Sequence, residues 1–293
     1  MIGRRRFVPW LFLLPGLAIA VVFFLAPFAN TVVLSFTDAR ALGGGQFTGL
    51  HNYARLLDDA AFWLSLRNTL LYVVVVVPFM VVLPLLLALL VEKQLPGIGF
   101  FRAIFYSPVV ASMVVVGLIW SWMLGSDGLV NWMLRSLSLV NEPIGFLTDA
   151  QLLLFASMFV TVWKGMGYYM VIYLAALASV PKELHEAARV DGATSLRRFF
   201  AITVPTIRPT MLLIGVLSAI ASTKIFAEIY VLSNGSGGPG GEARSLVMYI
   251  REVGLGLGGE IGYASALSLV LFVVTIGFSL LFIRASRGEE ELA

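Results

Sequence analysis

One polar stretch decides how this chain is organised: SVPKELHEAARVDGATSLRRFFAITVPTIRP, residues 179–209. Its first half predicts a short helix, because Ser179 can act as a helix N-cap and Pro181 suits the first turn. Gly192 stands where a left-handed residue commonly ends a helix. The stretch therefore begins with a helix that ends at a glycine turn.

A second helix is predicted directly after this turn. Thr194 or Ser195 can cap it, and Pro205 then stops or kinks it. The two helices together form a compact knob that carries both apolar and charged side chains. Such a knob is suited to being held by another protein, and the alternative is a helix that lies on lipid headgroups.

The chain as a whole is far more apolar than a soluble protein. Of its 293 residues, 59% are hydrophobic and 13% are charged, and the mean hydropathy is +0.92. A soluble domain is about half apolar and about a quarter charged. A lipid bilayer is the natural solvent for such a chain, so an integral membrane protein is predicted. The net charge of +3 gives no indication of nucleic-acid binding, and the absence of cysteine excludes disulfides and thiolate metal sites.

The apolar residues fall into six runs that are long enough to cross a membrane as helices, which takes about 20 residues each. The runs are continuous, whereas the strands of a membrane β-barrel alternate over about 10 residues. We therefore predict an all-α, polytopic membrane protein with a single domain, residues 1–293. The predicted spans are Leu11–Leu34, Thr69–Val91, Ala103–Leu124, Leu152–Leu177, Thr210–Leu232 and Tyr263–Ile283.

Basic residues give the predicted orientation. Arg4, Arg5 and Arg6 precede an apolar run that is roughly twice as long as a signal-peptide core, so an uncleaved first span is predicted. Placing both termini in the cytoplasm puts most of the loop lysines and arginines on the cytoplasmic side. Residues 179–209 then form a cytoplasmic loop.

This loop also carries a motif. EAA at residues 186–188 is followed after three residues by Gly192, and after nine more by the pattern Ile-x-Val-Pro at 202–205. The spacing resembles the EAA loop of ABC importer permeases, with Val204 in place of the usual leucine. The run Asp-Gly-Ala at 191–193 makes it similar to the carbohydrate-importer branch of that family.

Short motifs elsewhere extend the resemblance over nearly the whole chain. They look like those of the larger sugar permeases and are similar to motifs of permeases for maltose, other oligosaccharides and glycerol-3-phosphate. The resemblance implies the ABC importer type I permease fold. The motifs are Leu14-Pro15-Gly16, Leu66-Arg67-Asn68-Thr69, Phe105-Tyr106-Ser107-Pro108 and Gly262-Tyr263-Ala264-Ser265-Ala266.

In that family the EAA loop forms a coupling helix that contacts the ATPase subunit. The resemblance implies that Glu186 makes a polar contact with the ATPase and that Gly192 permits the sharp turn. The alternative is that the small residues only pack the loop against its own helical bundle. The coupling residues implied by the resemblance are Glu186, Ala187, Ala188, Asp191, Gly192, Ala193 and Pro205.

Ionisable residues inside the predicted spans are candidates for the substrate path, because they are costly in lipid. Lys164 lies in span four, and Lys224 and Glu228 are expected one helical turn apart on one face of span five. The alternative is a structural pair of charges near the outer interface. Aromatic rings and hydroxyl groups are added because sugars bind by stacking and hydrogen bonding. The candidates are Lys164, Tyr168, Tyr169, Ser222, Thr223, Lys224 and Glu228.

The predicted function is that of a permease subunit that moves a di- or oligosaccharide across the membrane by alternating access. The alternative cargo is glycerol-3-phosphate or a phosphodiester of it, because a phosphate would favour Lys164 and Lys224. An ion-coupled secondary transporter fits less well, since it would show inverted repeats and midplane carboxylates. A membrane-embedded enzyme would need a cluster of His, Asp or Glu, and neither such a cluster nor a metal site is predicted.

The sequence contains no P-loop motif for ATP, so the energy must come from another chain. The chain is therefore predicted not to be an enzyme and to hold no cofactor, with ATP and magnesium bound by two partner ATPase subunits. The resemblance further implies a second, homologous permease in a heterodimer and an extracellular substrate-binding protein. The predicted location is the bacterial cytoplasmic (inner) membrane, where the chain contacts lipid but no nucleic acid.

Overall fold

A computed structural model of the chain describes residues 8–93, 95–256 and 258–287. Arg4–Arg6, which contribute to the predicted orientation, lie outside the described residues. Within the described part the secondary structure is helical and no β-strand forms. The helices are α1 Val8–Ala20, α2 Ala26–Leu34, α3 His51–Asp58, α4 Ala60–Val91, α5 Ile98–Val110, α6 Met113–Leu124, α7 Leu129–Ser136, α8 Ala150–Ala178, α9 Lys182–Val190, α10 Ser195–Arg198, α11 Val204–Thr223, α12 Ala227–Leu232, α13 Leu246–Gly254 and α14 Ile261–Arg287.

The predicted all-α class and the six spans are confirmed. Among the described residues, six helical segments are long and apolar enough to cross a membrane. The first, fourth and sixth lie within two residues of the predicted bounds. The segments are Trp10–Leu34, Ala60–Val91, Met113–Ser136, Ala150–Ala178, Ser195–Thr223 and Ile261–Leu281.

The predicted third span is wrong in its bounds. The expected continuous helix Ala103–Leu124 is broken at Ala111 and Ser112, whose backbones are extended, with ψ of 140° and 139°. The Ser112 carbonyl then accepts the first hydrogen bond of α6. Both sides of this break are apolar, so the hydropathy of the sequence gives no sign of it.

The fifth span is also displaced from its predicted bounds Thr210–Leu232. Its helix begins in the polar loop at Ser195, because a π-helical turn, Phe199–Thr203, joins α10 to α11. Pro205 does not stop the helix: it follows directly after the π-helical turn, and the helix continues through it to Thr223.

The chain forms two compact units. One holds the described residues up to Phe62 together with Tyr249–Val273, and the other holds Trp63–Met248 together with the described residues from Val274 onward. In the second unit the long helices α4 and α8 pack through buried tyrosines. Tyr72 donates from its hydroxyl to the Ser157 carbonyl at 3.0 Å, and Tyr173 donates to the Val81 carbonyl at 2.9 Å. These bonds satisfy phenol groups that would otherwise be costly in lipid.

The motif at residues 66–69 fixes the segment before α13. The Asn68 amide donates to the carbonyls of Glu242 and Arg244 at 2.7 and 3.0 Å. The Thr69 hydroxyl accepts from the Leu246 amide at 2.9 Å. The motif therefore satisfies two carbonyls of this segment and the first amide of α13.

A half-buried carboxylate organises the first unit. Asp59 accepts hydrogen bonds from the hydroxyls of Tyr249 and Tyr263, both at 2.5 Å, and from the amides of Ala61 and Phe62 in the first turn of α4. Burial by itself raises the pKa of Asp59, but these four hydrogen bonds together outweigh it, so the pKa lies below its usual value.

We expect Asp59→Asn to lower the free energy of unfolding by about 2 kcal/mol at pH 7, because bonds to a charged acceptor are lost. A carboxylate whose pKa is lowered by folding stabilises the protein at any pH above its pKa in the unfolded chain, about 3.9. This contribution is lost as the pH falls through its pKa in the folded chain. Thermal unfolding in detergent should therefore show a difference between variant and unaltered chain at pH 7 that shrinks below about pH 4. An equal difference at both pH values would contradict this role.

Candidate functional site

The polar loop folds as the two-helix knob that the sequence predicts. α9 ends at Val190, and Gly192 two residues beyond it has a φ of +79°, in the left-handed region. The Gly192 amide bonds to the Arg189 carbonyl at 3.1 Å and the Ala193 amide to the Ala188 carbonyl at 2.8 Å. This is the hydrogen-bond pattern of a Schellman C-cap. The Thr194 hydroxyl then accepts from the Arg197 amide at 3.3 Å and caps α10.

One predicted cap is wrong. Ser179 does not begin α9, because it is the C-cap residue of α8 and donates from its hydroxyl to the Ala176 carbonyl at 2.7 Å. Pro181 takes the N-cap position of α9 with an extended backbone. The loop helix therefore starts two residues later than Ser179 would have placed it.

The knob presents apolar side chains and side chains of both charges that this chain does not cover. Val190 is 88% exposed, Leu196 68% and Leu184 49%. The predicted coupling residues Glu186, Ala187, Asp191, Gly192 and Pro205 are exposed, and Ala188 and Ala193 are half-buried. No described atom lies within 4 Å of the position that a Gly192 side chain would take. Exposed apolar side chains on a rigid knob are typical of a contact surface for a partner.

A side-chain contact ties the knob to the fifth span. His185 in α9 lies 3.4 Å from the Thr203 hydroxyl, measured between Nε2 and Oγ1. Thr203 ends the π-helical turn that continues into α11. A displacement of α9 would therefore act on the beginning of α11.

We expect Gly192→Ala to destabilise the turn between α9 and α10 by about 1 kcal/mol. A left-handed backbone is strained for alanine, and the added methyl group would make no contact that offsets the strain. Hydrogen exchange at the C-terminal amides of α9 should speed up by about fivefold. Gly192→Asn is the matched control, since asparagine tolerates this conformation better. Equal exchange rates in both variants and in the unaltered chain would show that alanine is not strained at position 192.

The other end of α11 opens onto a cavity of about 300 Å³. The cavity lies where the fifth span is interrupted: α11 ends at Thr223, and α12 begins at Ala227. The carbonyl of Ile225, freed by the break, accepts a hydrogen bond from the Ser245 hydroxyl at 2.6 Å. Interrupted helices in membranes are tolerated where their backbone lines a cavity.

Four of the predicted path residues line this cavity. They are joined by apolar and hydroxyl side chains that the sequence did not single out, notably Met80, Thr161 and Ser218. The predicted members are Tyr169, Ser222, Lys224 and Glu228.

The predicted helical pairing of Lys224 and Glu228 is wrong. Lys224 is the C-cap of α11, and Glu228 lies in the first turn of α12 beyond the break. The two residues do not share one continuous helix face. Lys224 is exposed, and an exposed ammonium at this depth must face water or protein rather than lipid.

The remaining three predicted path residues lie outside the cavity lining. Lys164 donates to the Val109 carbonyl at 3.3 Å, which places its charge at the C-terminal turn of α5. Thr223 is buried and donates to carbonyls of its own helix. Tyr168 is 47% exposed, with its ring 5.3 Å from that of Tyr169.

Among the described residues, no group of three or more histidine, aspartate or glutamate side chains could hold a metal ion. The structure places an exposed knob at one end of α11 and a cavity with apolar and polar walls at the other.

Comparison with known proteins gives consistent results along the whole chain. The profile of the family described as "Binding-protein-dependent transport system inner membrane component" matches residues 65–286. The lactose transport system permease protein LacF of Rhizobium radiobacter is 34% identical over 285 residues, which cover 96% of this chain and 94% of that protein. The trehalose/maltose transport system permease protein MalF of Thermococcus litoralis is 32% identical over 291 residues, 98% and 96% of the two chains.

Solved structures show the same similarity. A chain of the bacterial alginate ABC transporter, in complex with an alginate pentasaccharide-bound periplasmic protein, superposes with a TM-score of 0.83 at 25% identity. The superposition covers 97% of this chain and 95% of the other. A second structure, of a bacterial ABC transporter involved in alginate import, gives a TM-score of 0.82 at 26% identity.

Proposed function

The chain belongs to the family of binding-protein-dependent transport system inner membrane components, and from this premise we propose that it is the membrane-spanning subunit of an ATP-driven importer for a di- or oligosaccharide. It lies in the cytoplasmic membrane as a multi-pass protein. Its relatives include permeases named for lactose, trehalose/maltose and arabinooligosaccharides. The proposed cargo follows from these names and from the chemistry of the cavity.

The observation that carries the proposal is the position of α11 between the two sites. Its 20 residues make a rod about 30 Å long, from the exposed knob to the cavity. A partner that moves the knob would move this rod and so reshape the cavity at its far end. The proposed cycle alternates access to the cavity in this way, with the loop at residues 179–209 in the cytoplasm.

The partners of this cycle are part of the proposal. Two ATPase subunits would take part. One would hold the knob of this chain, and the other would hold the corresponding loop of a second, homologous permease. ATP binding would favour one of the two arrangements of the permease pair, because a ligand shifts an equilibrium only by its differential affinity. A substrate-binding protein outside would deliver the sugar. ATP and magnesium would be bound by the ATPase subunits.

The chemistry of the cavity favours a neutral sugar over a phosphate ester. Its polar lining includes hydroxyls and one residue of each charge, Lys224 and Glu228. A phosphate would be repelled by Glu228, and Lys164 is engaged with a backbone carbonyl. Hydroxyls, a carboxylate and aromatic rings are groups that bind sugar hydroxyls and sugar faces.

The test is uptake by the assembled transporter in proteoliposomes, with ATP inside and a panel of labelled sugars presented with the binding protein. We expect ATP-dependent accumulation of a di- or oligosaccharide and none of glycerol-3-phosphate. Accumulation driven by an ion gradient without ATP would contradict the proposed ATP-driven import. Preferential uptake of glycerol-3-phosphate would contradict the proposed sugar cargo.

We expect Lys224→Gln to lower uptake at limiting sugar by about tenfold, because a hydrogen bond from a charged donor contributes about 1.5 kcal/mol or more. Lys224→Arg should retain most of the activity. Arg135→Gln, which removes an exposed cation outside the cavity, is the control for a general charge effect. Equal uptake by Lys224→Gln and the unaltered chain would remove Lys224 from the path.

A further inference from the structure

A second, larger cavity lies at the end of the spans where the knob begins. It has a volume of about 760 Å³ and brings together the end of α4, the α4–α5 connection, α5, the end of α8 and the start of α9. Three of its lining residues are cationic and one is acidic. The lining residues are Glu92, Lys93, Arg102, Leu174, Ala178 and Lys182.

Arg102 is fixed in this cavity by the end of α4. Its Nε and Nη2 donate to the Val91 carbonyl at 3.0 and 2.6 Å, and Nη2 donates to the Glu92 carbonyl at 3.2 Å. These bonds satisfy carbonyls that a helix end leaves open. Nη1 makes no hydrogen bond to any residue that the structure describes, so a fixed positive charge remains for a ligand.

The cavity lies at the depth of lipid headgroups. Val91 is the last residue of a 32-residue apolar helix, and Ala178 is the last of a 29-residue one. α8 contributes two apolar residues to the cavity lining, Leu174 and Ala178. Charged side chains at the end of a span lie at the boundary between hydrocarbon and water.

The apolar part of the cavity lining comes from α8, not from α5. Phe100, Phe101 and Ile104 are exposed on α5, but they stand one or two positions from Arg102 and so lie on other faces of that helix. A ligand with a charged group and a long apolar part would contact the cations together with Leu174 and Ala178. A small hydrophilic anion would contact the cations alone.

We propose that this cavity binds the phosphate of an anionic phospholipid, with Lys93, Arg102 and Lys182 around the headgroup and the acyl chains leaving past Leu174 and Ala178. Lysine and arginine are the side chains that bind phosphate in proteins, and basic pockets between membrane helices bind lipid headgroups. The same cations would also attract free inorganic phosphate, which lacks the acyl chains. Because Lys182 is the first residue of α9, the lipid would contact the base of the knob.

The test measures lipid binding to the purified full-length chain by native mass spectrometry after delipidation in detergent. Phosphatidylglycerol should bind in preference to phosphatidylcholine. Each lysine contributes about a fivefold change in affinity, so Lys93→Gln/Lys182→Gln should weaken phosphatidylglycerol binding by about 25-fold. The matched control is Arg40→Gln/Arg135→Gln, which removes two exposed cations elsewhere and should leave it unchanged. Arg102 is left intact because it also caps α4.

The outcomes separate the possible ligands. Phosphatidylglycerol binding that persists in the presence of millimolar inorganic phosphate supports a lipid site. If phosphatidylglycerol does not bind, and inorganic phosphate binds to the unaltered chain but not to the lysine variant, the lipid proposal is wrong and the cavity is a site for a free anion. Equal weakening in the control variant, or none in the lysine variant, also overturns the proposal.

Discussion

Replacing Glu186 with lysine is expected to lower sugar uptake by about 30-fold or more. Glu186 is exposed on α9, in the middle of the surface that the chain leaves uncovered. If the ATPase holds this surface, a reversed charge removes a polar contact and adds repulsion, at a cost of about 2 kcal/mol or more. ATP hydrolysis by the assembled transporter should then no longer respond to substrate. Uptake and ATPase activity are measured together in proteoliposomes.

The control for this prediction is Glu142→Lys, the same change of charge at an exposed residue outside the knob. It should leave both activities unchanged, and both variants should reach the membrane in normal amounts. Normal substrate-stimulated hydrolysis and normal uptake with Glu186→Lys would show that Glu186 does not take part in coupling.

Replacing Gly167 with leucine is expected to lower the free energy of unfolding by about 3 kcal/mol or more. Gly167 is buried in α8, and a Cβ placed there would overlap the backbone carbonyl of Phe105 in α5. A backbone group cannot move aside as the end of a side chain can, so the two helices would have to separate. The midpoint of thermal unfolding in detergent should fall by about 6 °C or more.

Gly277→Ala is the matched control. Gly277 lies inside α14, and a Cβ there has no described atom within 4 Å. Alanine is a better helix former than glycine by about 1 kcal/mol, so this variant should be as stable as the unaltered chain or more so. An unchanged unfolding midpoint for Gly167→Leu would mean that α5 and α8 do not approach so closely.

The helical class and the spans could be predicted because lipid leaves the chain little choice. A backbone in hydrocarbon must satisfy its own hydrogen bonds, so each long apolar run becomes a helix. The knob could be predicted for a different reason: its turn depends on local residues, Gly192 and Thr194, whose conformations are set by their neighbours along the chain. The error at Ser179 arose because two helices meet there and the residue can cap either one.

The interrupted helices could not be predicted. Nothing in the run Thr223-Lys224-Ile225-Phe226 marks a break, since it contains neither glycine nor proline. The break is stabilised by Ser245, which is 20 residues further on and donates to the Ile225 carbonyl. The expected pairing of Lys224 with Glu228 failed for this reason, because it assumed a continuous helix.

Other parts of the site depend on contacts between residues far apart in the sequence. Tyr169 and Met80 meet in the cavity because α4 packs against α8. The Asp59 cluster likewise joins residues about 190 and 204 positions apart. Hydropathy and spacing gave no sign of these contacts, whereas the motifs at 66–69 and 262–266 marked two of the places where such contacts occur.

The most direct test of the central claim is photo-crosslinking from Val190, the most exposed apolar side chain of the knob. A photoreactive amino acid replaces Val190 in the full chain, and in parallel Leu139, which is 66% exposed and lies outside the knob. We expect position 190 to crosslink to an ATPase subunit in membranes and position 139 not to. Crosslinks from position 190 to lipid alone would show that the knob lies on the membrane surface, and would contradict the claim that it is the contact through which an ATPase drives this permease.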